Sequence, residues 1–137
     1  MKEILVKDIM HKITVVGANT TISDVTKLMA KKNIGSVLVR KSGDIIGILT
    51  ERDILKKGVA MGLDIKHTPV SEIMVKHPYI IDSEATVHDA SHALSKYKIR
   101  RLPVIERGKI IGMATSRNVA QSLKYSFFKK RHHHKTR

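Results

Sequence analysis

The 137-residue chain, 15.4 kDa, is long enough for one domain or two small fused repeats, and its 42% hydrophobic content is too high for a disordered polymer. It has no cysteine, which excludes disulfides, thiolate zinc sites, iron–sulfur clusters and a cysteine nucleophile. Lys and Arg number 26 against 12 Asp and Glu, a balance of +14, and such an excess attracts polyanions, nucleic acid first and anionic membrane second.

Val6-Lys7-Asp8-Ile9-Met10 opens the chain. A short apolar stretch, Ile13 to Val16, predicts a strand. Thr21-x-x-Asp24 has the capping pattern that starts a helix, and Ile22, Val25, Leu28 and Met29 follow at helical spacing. Two strands come next, Val37 to Val39 and Ile45 to Leu49, around the turn Ser42-Gly43-Asp44. Thr50-Glu51-Arg52-Asp53 then opens a second helix. After a connector spanning 58–67 the series begins again.

The repetition is direct. Shifted by 65 residues, Gly43 to Thr50 overlays Gly108 to Thr115, Thr21 to Asp24 overlays Thr86 to Asp89, and Asn33 to Val39 overlays Lys98 to Val104. Near the starts the shift is 64, Val6 to Met10 against Val70 to Met74, so one residue is inserted around His77-Pro78. The expected architecture is α+β: two β-α-β-β-α repeats, residues 4–57 and 68–123, related by a pseudo-twofold axis and packed through their sheets. Residues 124–137 form a basic C-terminal tail. One unit alone has too few apolar residues to close a core, and a pair creates clefts in which ligands tend to sit.

The strand-to-helix corner Gly47 to Asp53 carries groups suited to a nucleotide. Free N–H groups at a helix start favour an anion. Gly47 allows close backbone approach of a ligand, Thr50 offers a hydroxyl, and the Asp53 carboxylate can accept both hydroxyls of a ribose. Copy two supplies Lys98-Ile99-Arg100-Arg101, whose guanidinium groups can hold a phosphate bidentately. Ile48 and Ile99 can sandwich a flat base. The Thr50-x-x-Asp53 spacing is equally a helix cap, and capping alone would explain both residues. Recurrence at the same place in both copies is what raises the functional reading.

The Asp-Ile-Met opening, the strand Ile99-Arg100-Arg101-Leu102-Pro103-Val104-Ile105, and Gly47-Ile48-Leu49-Thr50-x-x-Asp53-Ile54 resemble a tandem pair of CBS domains, a Bateman module, over residues of about 4 to 123. The resemblance implies a regulatory binding module that holds AMP, ADP, ATP or S-adenosylmethionine between its repeats, with no catalytic residues and no required cofactor. Carried over by position, a main cleft would use Thr50 and Asp53, Ile48, the backbone of Tyr79 and Ile80, Ile99 around the base, and Arg101 on phosphate. A second, weaker cleft would use the backbone of Thr14 and Val15, with Ile34, Gly35, Thr115, Asn118 and Arg100. It departs from the family pattern, since Asn118 stands where Asp is usual and Gly35-Ser36 stand opposite Arg100-Arg101.

An adenine-nucleotide sensor that forms a homodimer and signals to an effector protein is therefore expected. Its location is expected to be the cytoplasm, since no apolar run nears the roughly 18 residues of a membrane span and the N-terminus has no signal-peptide pattern. No nucleophile elbow or Walker loop suggests an enzyme. The alternative is a nucleic-acid-binding protein that uses the basic surface and the tail cations Lys124, Lys129, Lys130, Arg131, Lys135 and Arg137, with Tyr125, Phe127 and Phe128 interleaved. The tail equally reads as a packed last helical turn with a solvated basic end. His132-His133-His134 makes a poor preformed metal site, because ordering a flexible run costs entropy.

Overall fold

A computed structural model describes residues 3–135, and side chains as far as Tyr125. The elements in chain order are α1 (Val6–Ile9), β1 (Val15–Gly17), α2 (Ile22–Lys32), β2 (Ser36–Lys41), β3 (Asp44–Thr50) and α3 (Glu51–Asp53), which continues as a π-helix over Ile54–Val59. A 3-10 turn (Val70–Glu72) leads to β4 (Val75–Lys76), β5 (Ile81–Asp82), α4 (Val87–Tyr97), β6 (Arg101–Glu106), β7 (Lys109–Thr115) and α5 (Ser116–Lys135). The β-α-β-β-α order thus occurs twice, as the sequence predicts. No helix among the described residues is long and apolar enough to cross a membrane.

Local chemistry fixes the elements. Thr21 and Thr86 cap α2 and α4, their hydroxyls accepting from the N–H groups of Asp24 and Asp89, both at 3.1 Å. Asn33 and Lys98 end those helices in the left-handed conformation, at φ 54° and 53°, and turn the chain into β2 and β6. The hairpins close on Ser42-Gly43 and Arg107-Gly108, all four at positive φ, where glycine carries no Cβ penalty. Each hairpin has an irregularity at the same place, Val39/Arg40 and Val104/Ile105.

The chain divides into two compact units that do not coincide with the sequence repeats. One unit is Ile13–Pro78; the other joins Met1–Lys12 to Tyr79–Arg137. Its opening segment is what each repeat leaves behind. In the first unit the sheet order is β1-β2-β3-β4, with β1 parallel to β2 and the rest antiparallel. Strand β4, which opens the second repeat in sequence, pairs Val75 with Ile48 and Lys76 with Gly47. In the second unit the order is β5-β6-β7, and His11, from the start of the chain, bridges Met113 through N–H···O contacts of 3.0 and 2.9 Å.

Each unit has its own core. Ile22, Val25, Met29, Val37, Val39, Leu49, Ile54, Val70, Ile73 and Met74 form the first. Val6, Ala90, Leu94, Leu102, Val104, Ala114 and Val119 form the second. Met74 sits against Gly47, where an added Cβ would come within 2.5 Å of its sulfur and 2.9 Å of the Val75 carbonyl oxygen. Met10 sits against Gly112 in the same manner. The glycine that the sequence reading kept free for a ligand is therefore occupied by a methionine and a crossing strand.

Between the repeats, His67 Nδ1 lies 2.8 Å from Asp64 Oδ2. This hydrogen bond holds the Asp64 carboxyl below the ordinary aspartate value. A carboxyl lowered on folding adds stability above its unfolded value and loses it as pH falls through the folded one. NMR titration should place the Asp64 midpoint below that of free aspartate, and His67→Ala should return it. In urea unfolding, Gly47→Ala should cost about 1–3 kcal/mol, the range for overpacking. Gly17→Ala, whose new Cβ meets nothing nearer than 3.7 Å, should be nearly neutral.

Candidate functional site

The parallel pairing of β1 with β2 and the antiparallel return of β3 bring three segments to one sheet edge in the first unit. Leu38 N–H donates to Thr14 O at 2.8 Å, and Glu51 N–H donates to Gly35 O at 3.1 Å. Ser36 pairs with Thr50, and Val15 with Leu38. Thr14, Val15, Ile34, Gly35, Thr50 and Asp53 thus share that edge. Ile48 lies two residues inside it and is buried.

The second unit repeats the arrangement. Ser116 N–H donates to Arg100 O at 2.8 Å, and Arg101 pairs with Thr115. Parallel β5–β6 pairing brings Tyr79 and Ile80 to the same end, so Tyr79, Ile80, Ile99, Arg100, Arg101, Thr115 and Asn118 share the second edge. Each cleft expected from sequence draws one set of residues from each unit.

The two corners differ in chemistry. Asp53 is buried, with 9% exposure. Its Oδ2 accepts from both the Thr50 N–H and the Thr50 hydroxyl, each at 3.0 Å, while Asp53 N–H donates to Thr50 Oγ1 at 3.3 Å. Its Oδ1 lies 3.2 Å from Lys57 Nζ, which also donates to Ile73 O at 3.3 Å. Asp53 is therefore a complete cap with a cation on its free oxygen. At the other corner, Thr115 Oγ1 donates to Asn118 Oδ1 at 2.7 Å and accepts from Asn118 N–H at 3.1 Å. Ser122, at the position matching Lys57, turns inward to the Val119 carbonyl.

The apolar candidates behave differently from one another. Ile34 and Ile99 pack against the cores of their own units. Tyr79 and Ile80 are half exposed, at 52% and 48%. Tyr79 stacks on Tyr97, ring centroids 3.8 Å apart and planes 13° from parallel. A groove of about 330 Å³ between α4 and α5 includes Ile99 with Ser91, Leu94, Ser95, Ser116 and Val119, but none of the polar candidates.

Sequence reading missed two groups. Lys57 stands four residues after Asp53, one helical turn, a spacing that signals an ion pair. Tyr97 gave no signal, since only the fold brings it to Tyr79. Of the tail candidates, Lys124 is exposed on α5. The side chains of Lys129, Lys130, Arg131, Lys135 and the three histidines, and all of Arg137, lie outside what is described. Among the described residues no three His, Asp or Glu side chains are placed to hold a metal.

Comparison with known proteins adds the following. The family model described as CBS domain matches residues 6–60 and 70–125. The chain is 34% identical over 116 residues to the CBS domain-containing protein YhcV of Bacillus subtilis, covering 84% of this chain and 82% of that one. It is 34% identical over 105 residues to CBSCBSPB1 of Arabidopsis thaliana but spans only 19% of its length. A CBS-domain protein of Burkholderia ambifaria superposes with a TM-score of 0.77 at 33% identity, covering 84% of each chain. CBSX2 in complex with AMP gives 0.73 at 25% identity, covering 89% of this chain and 97% of that one.

Asp53→Ala should lower stability by about 0.5–2 kcal/mol, the usual worth of a cap, because it strips the Thr50 N–H and Lys57 of their acceptor. Asn118→Ala should cost less, since Asn118 Oδ1 accepts only from the Thr115 hydroxyl, whereas Asp53 also serves a backbone N–H and Lys57. Equal losses in chemical denaturation would contradict this account of the two corners.

Proposed function

The chain belongs to the CBS-domain family, with two copies in tandem, and from that premise we propose that it is a regulatory module whose ligand is an adenine nucleotide of the AMP, ADP or ATP type. One observation carries the reading: Asp53, buried at a strand–helix corner, presents an acceptor-only carboxylate already fitted with a hydroxyl on one oxygen and an ammonium on the other. A ribose diol offers two O–H donors, which can replace the Thr50 hydroxyl on one oxygen and share or displace Lys57 on the other. Arg101 supplies a guanidinium suited to phosphate and not to the sulfonium of S-adenosylmethionine. The AMP held by CBSX2 supports the same class of ligand. The Asn118 corner, whose acceptor is neutral, is the weaker of the two, since charge-assisted hydrogen bonds are roughly twice as strong.

The mechanism is a population shift. A ligand that binds one arrangement of the repeats better than another moves the balance by its differential affinity, and an effector protein in the cytoplasm reads the result. No cofactor takes part. Self-association is supported by Leu55, Val59 and Met61, which stand 61%, 55% and 72% exposed. Apolar side chains so exposed on a helix and its exit favour a homodimer.

Thermal unfolding with AMP, ADP, ATP, adenosine and S-adenosylmethionine tests the reading. A ligand at 100 times its Kd should add about 2.7 kcal/mol; no shift with any of them refutes it. By calorimetry Asp53→Ala should weaken binding by about 1.5–3 kcal/mol, the worth of hydrogen bonds to a charged group. Arg101→Ala should cost AMP more than adenosine, and equal losses would remove Arg101 from the phosphate.

A further inference from the structure

The two sheet edges are built from matching positions, yet their charge has diverged in one direction. In the first unit the edge carries Lys31, Lys32, Arg52 and Lys57 against Glu51 and Asp53, a net of two positive charges. In the second, the matching positions carry Lys96, Lys98, Arg100, Arg101 and Arg117 and no acid, five positive charges. Ser116 and Asn118 stand where the first copy has Glu51 and Asp53, and Arg100 and Arg101 stand where it has Gly35 and Ser36.

The acids of the second unit gather at its other end. Glu84 pairs with Lys7 at 2.7 Å, Glu106 accepts from Ser83 at 3.2 Å, and Asp89 caps the start of α4. Asp82 follows at the end of β5, and Asp8 accepts from Leu5 N–H, where Leu5 bridges Thr86. The unit is electrostatically polarised along its strands.

The cationic edge also gains two rings absent from the first unit, Tyr79 and Tyr97, where Thr14 and Lys32 stand. Their 3.8 Å stack leaves no room for a third ring between them. Lys96 Nζ lies 5.4 Å from the Tyr97 centroid, so the free aromatic surface is on Tyr79, half exposed. Exposed tyrosines cost apolar hydration, and a bare phosphate gives them nothing in return. A polyanion with its own flat rings satisfies both features.

We infer that the edge formed by Tyr79, Tyr97, Lys96, Lys98, Arg100 and Arg117 binds single-stranded nucleic acid, a base extending the tyrosine stack from Tyr79 while successive phosphates meet the cations. Duplex hides its base faces and cannot use the stack. This site shares Tyr79 and Arg100 with the expected mononucleotide clefts but makes no use of Asp53.

Fluorescence anisotropy of the full chain with a labelled 20-nucleotide oligo(U) tests it. Log affinity should fall with log salt at a slope of about −2.8 for four single-strand phosphate contacts, and the matched duplex should bind more weakly. Tyr79→Ala should weaken oligo(U) about tenfold, as lost stacking does, while Tyr79→Phe restores it. Lys98→Gln with Arg117→Gln should reduce the slope by about 1.4. Asp53→Ala should leave oligo(U) affinity unchanged even where it weakens mononucleotide binding. Thermal melts of each variant confirm folding. Three results would overturn the inference: undiminished binding by Tyr79→Ala; loss only on Lys129→Gln/Lys130→Gln/Arg131→Gln; or binding to anionic vesicles that matches oligo(U) and ignores Tyr79.

Discussion

The fold depends on one crossing made twice. Gly47 and Gly112 lack a side chain at mid-strand, and the space is taken by Met74 and Met10. Each methionine ends an opening segment that sequence assigns to the other repeat. The adjacent backbone then pairs with the same strand, Val75 to Ile48 and His11 to Met113. Close approach of two backbones demands glycine, and the flexible thioether fills the irregular gap that remains. Without that contact β3 and β7 would be left with an unpaired edge and an open flank on the core.

The crossing also sets the chemistry at the far ends of these strands. Once β3 is anchored at Gly47, its last residue, Thr50, must lie beside Ser36, and the helix that follows begins at a fixed place. Its first turn has N–H groups to satisfy, and Asp53 satisfies them together with Thr50. The groups proposed to meet a ligand are thus the groups that cap the helix. Fixing the carboxylate before any ligand arrives spares the ordering cost at binding. Lys57 adds a further bond on the opposite oxygen, which a ligand must displace or share.

Much of this was legible in the residues. The 65-residue self-match gave the element order, because strand alternation, threonine caps and Gly-containing hairpins are local signals. The sharing of one edge by Thr14, Gly35 and Thr50 was not legible, since sequence set Thr50 in one cleft and Thr14 and Gly35 in the other; it comes from the parallel pairing of β1 with β2 and the antiparallel return of β3. The unit boundaries were not legible, because a four-residue helix and a two-residue strand carry too little periodicity to reveal which sheet they join. Nor was the Tyr79–Tyr97 stack, which unites residues eighteen apart through a helix, or the reason for Gly47, which sequence assigned to ligand approach and the fold assigns to Met74.

The crossed openings have a mechanical consequence. Each sequence repeat supplies the segment that covers the other repeat's mid-strand glycine. A chain cut in the connector would therefore part into two fragments, each missing one flank of its sheet and each holding the piece the other lacks.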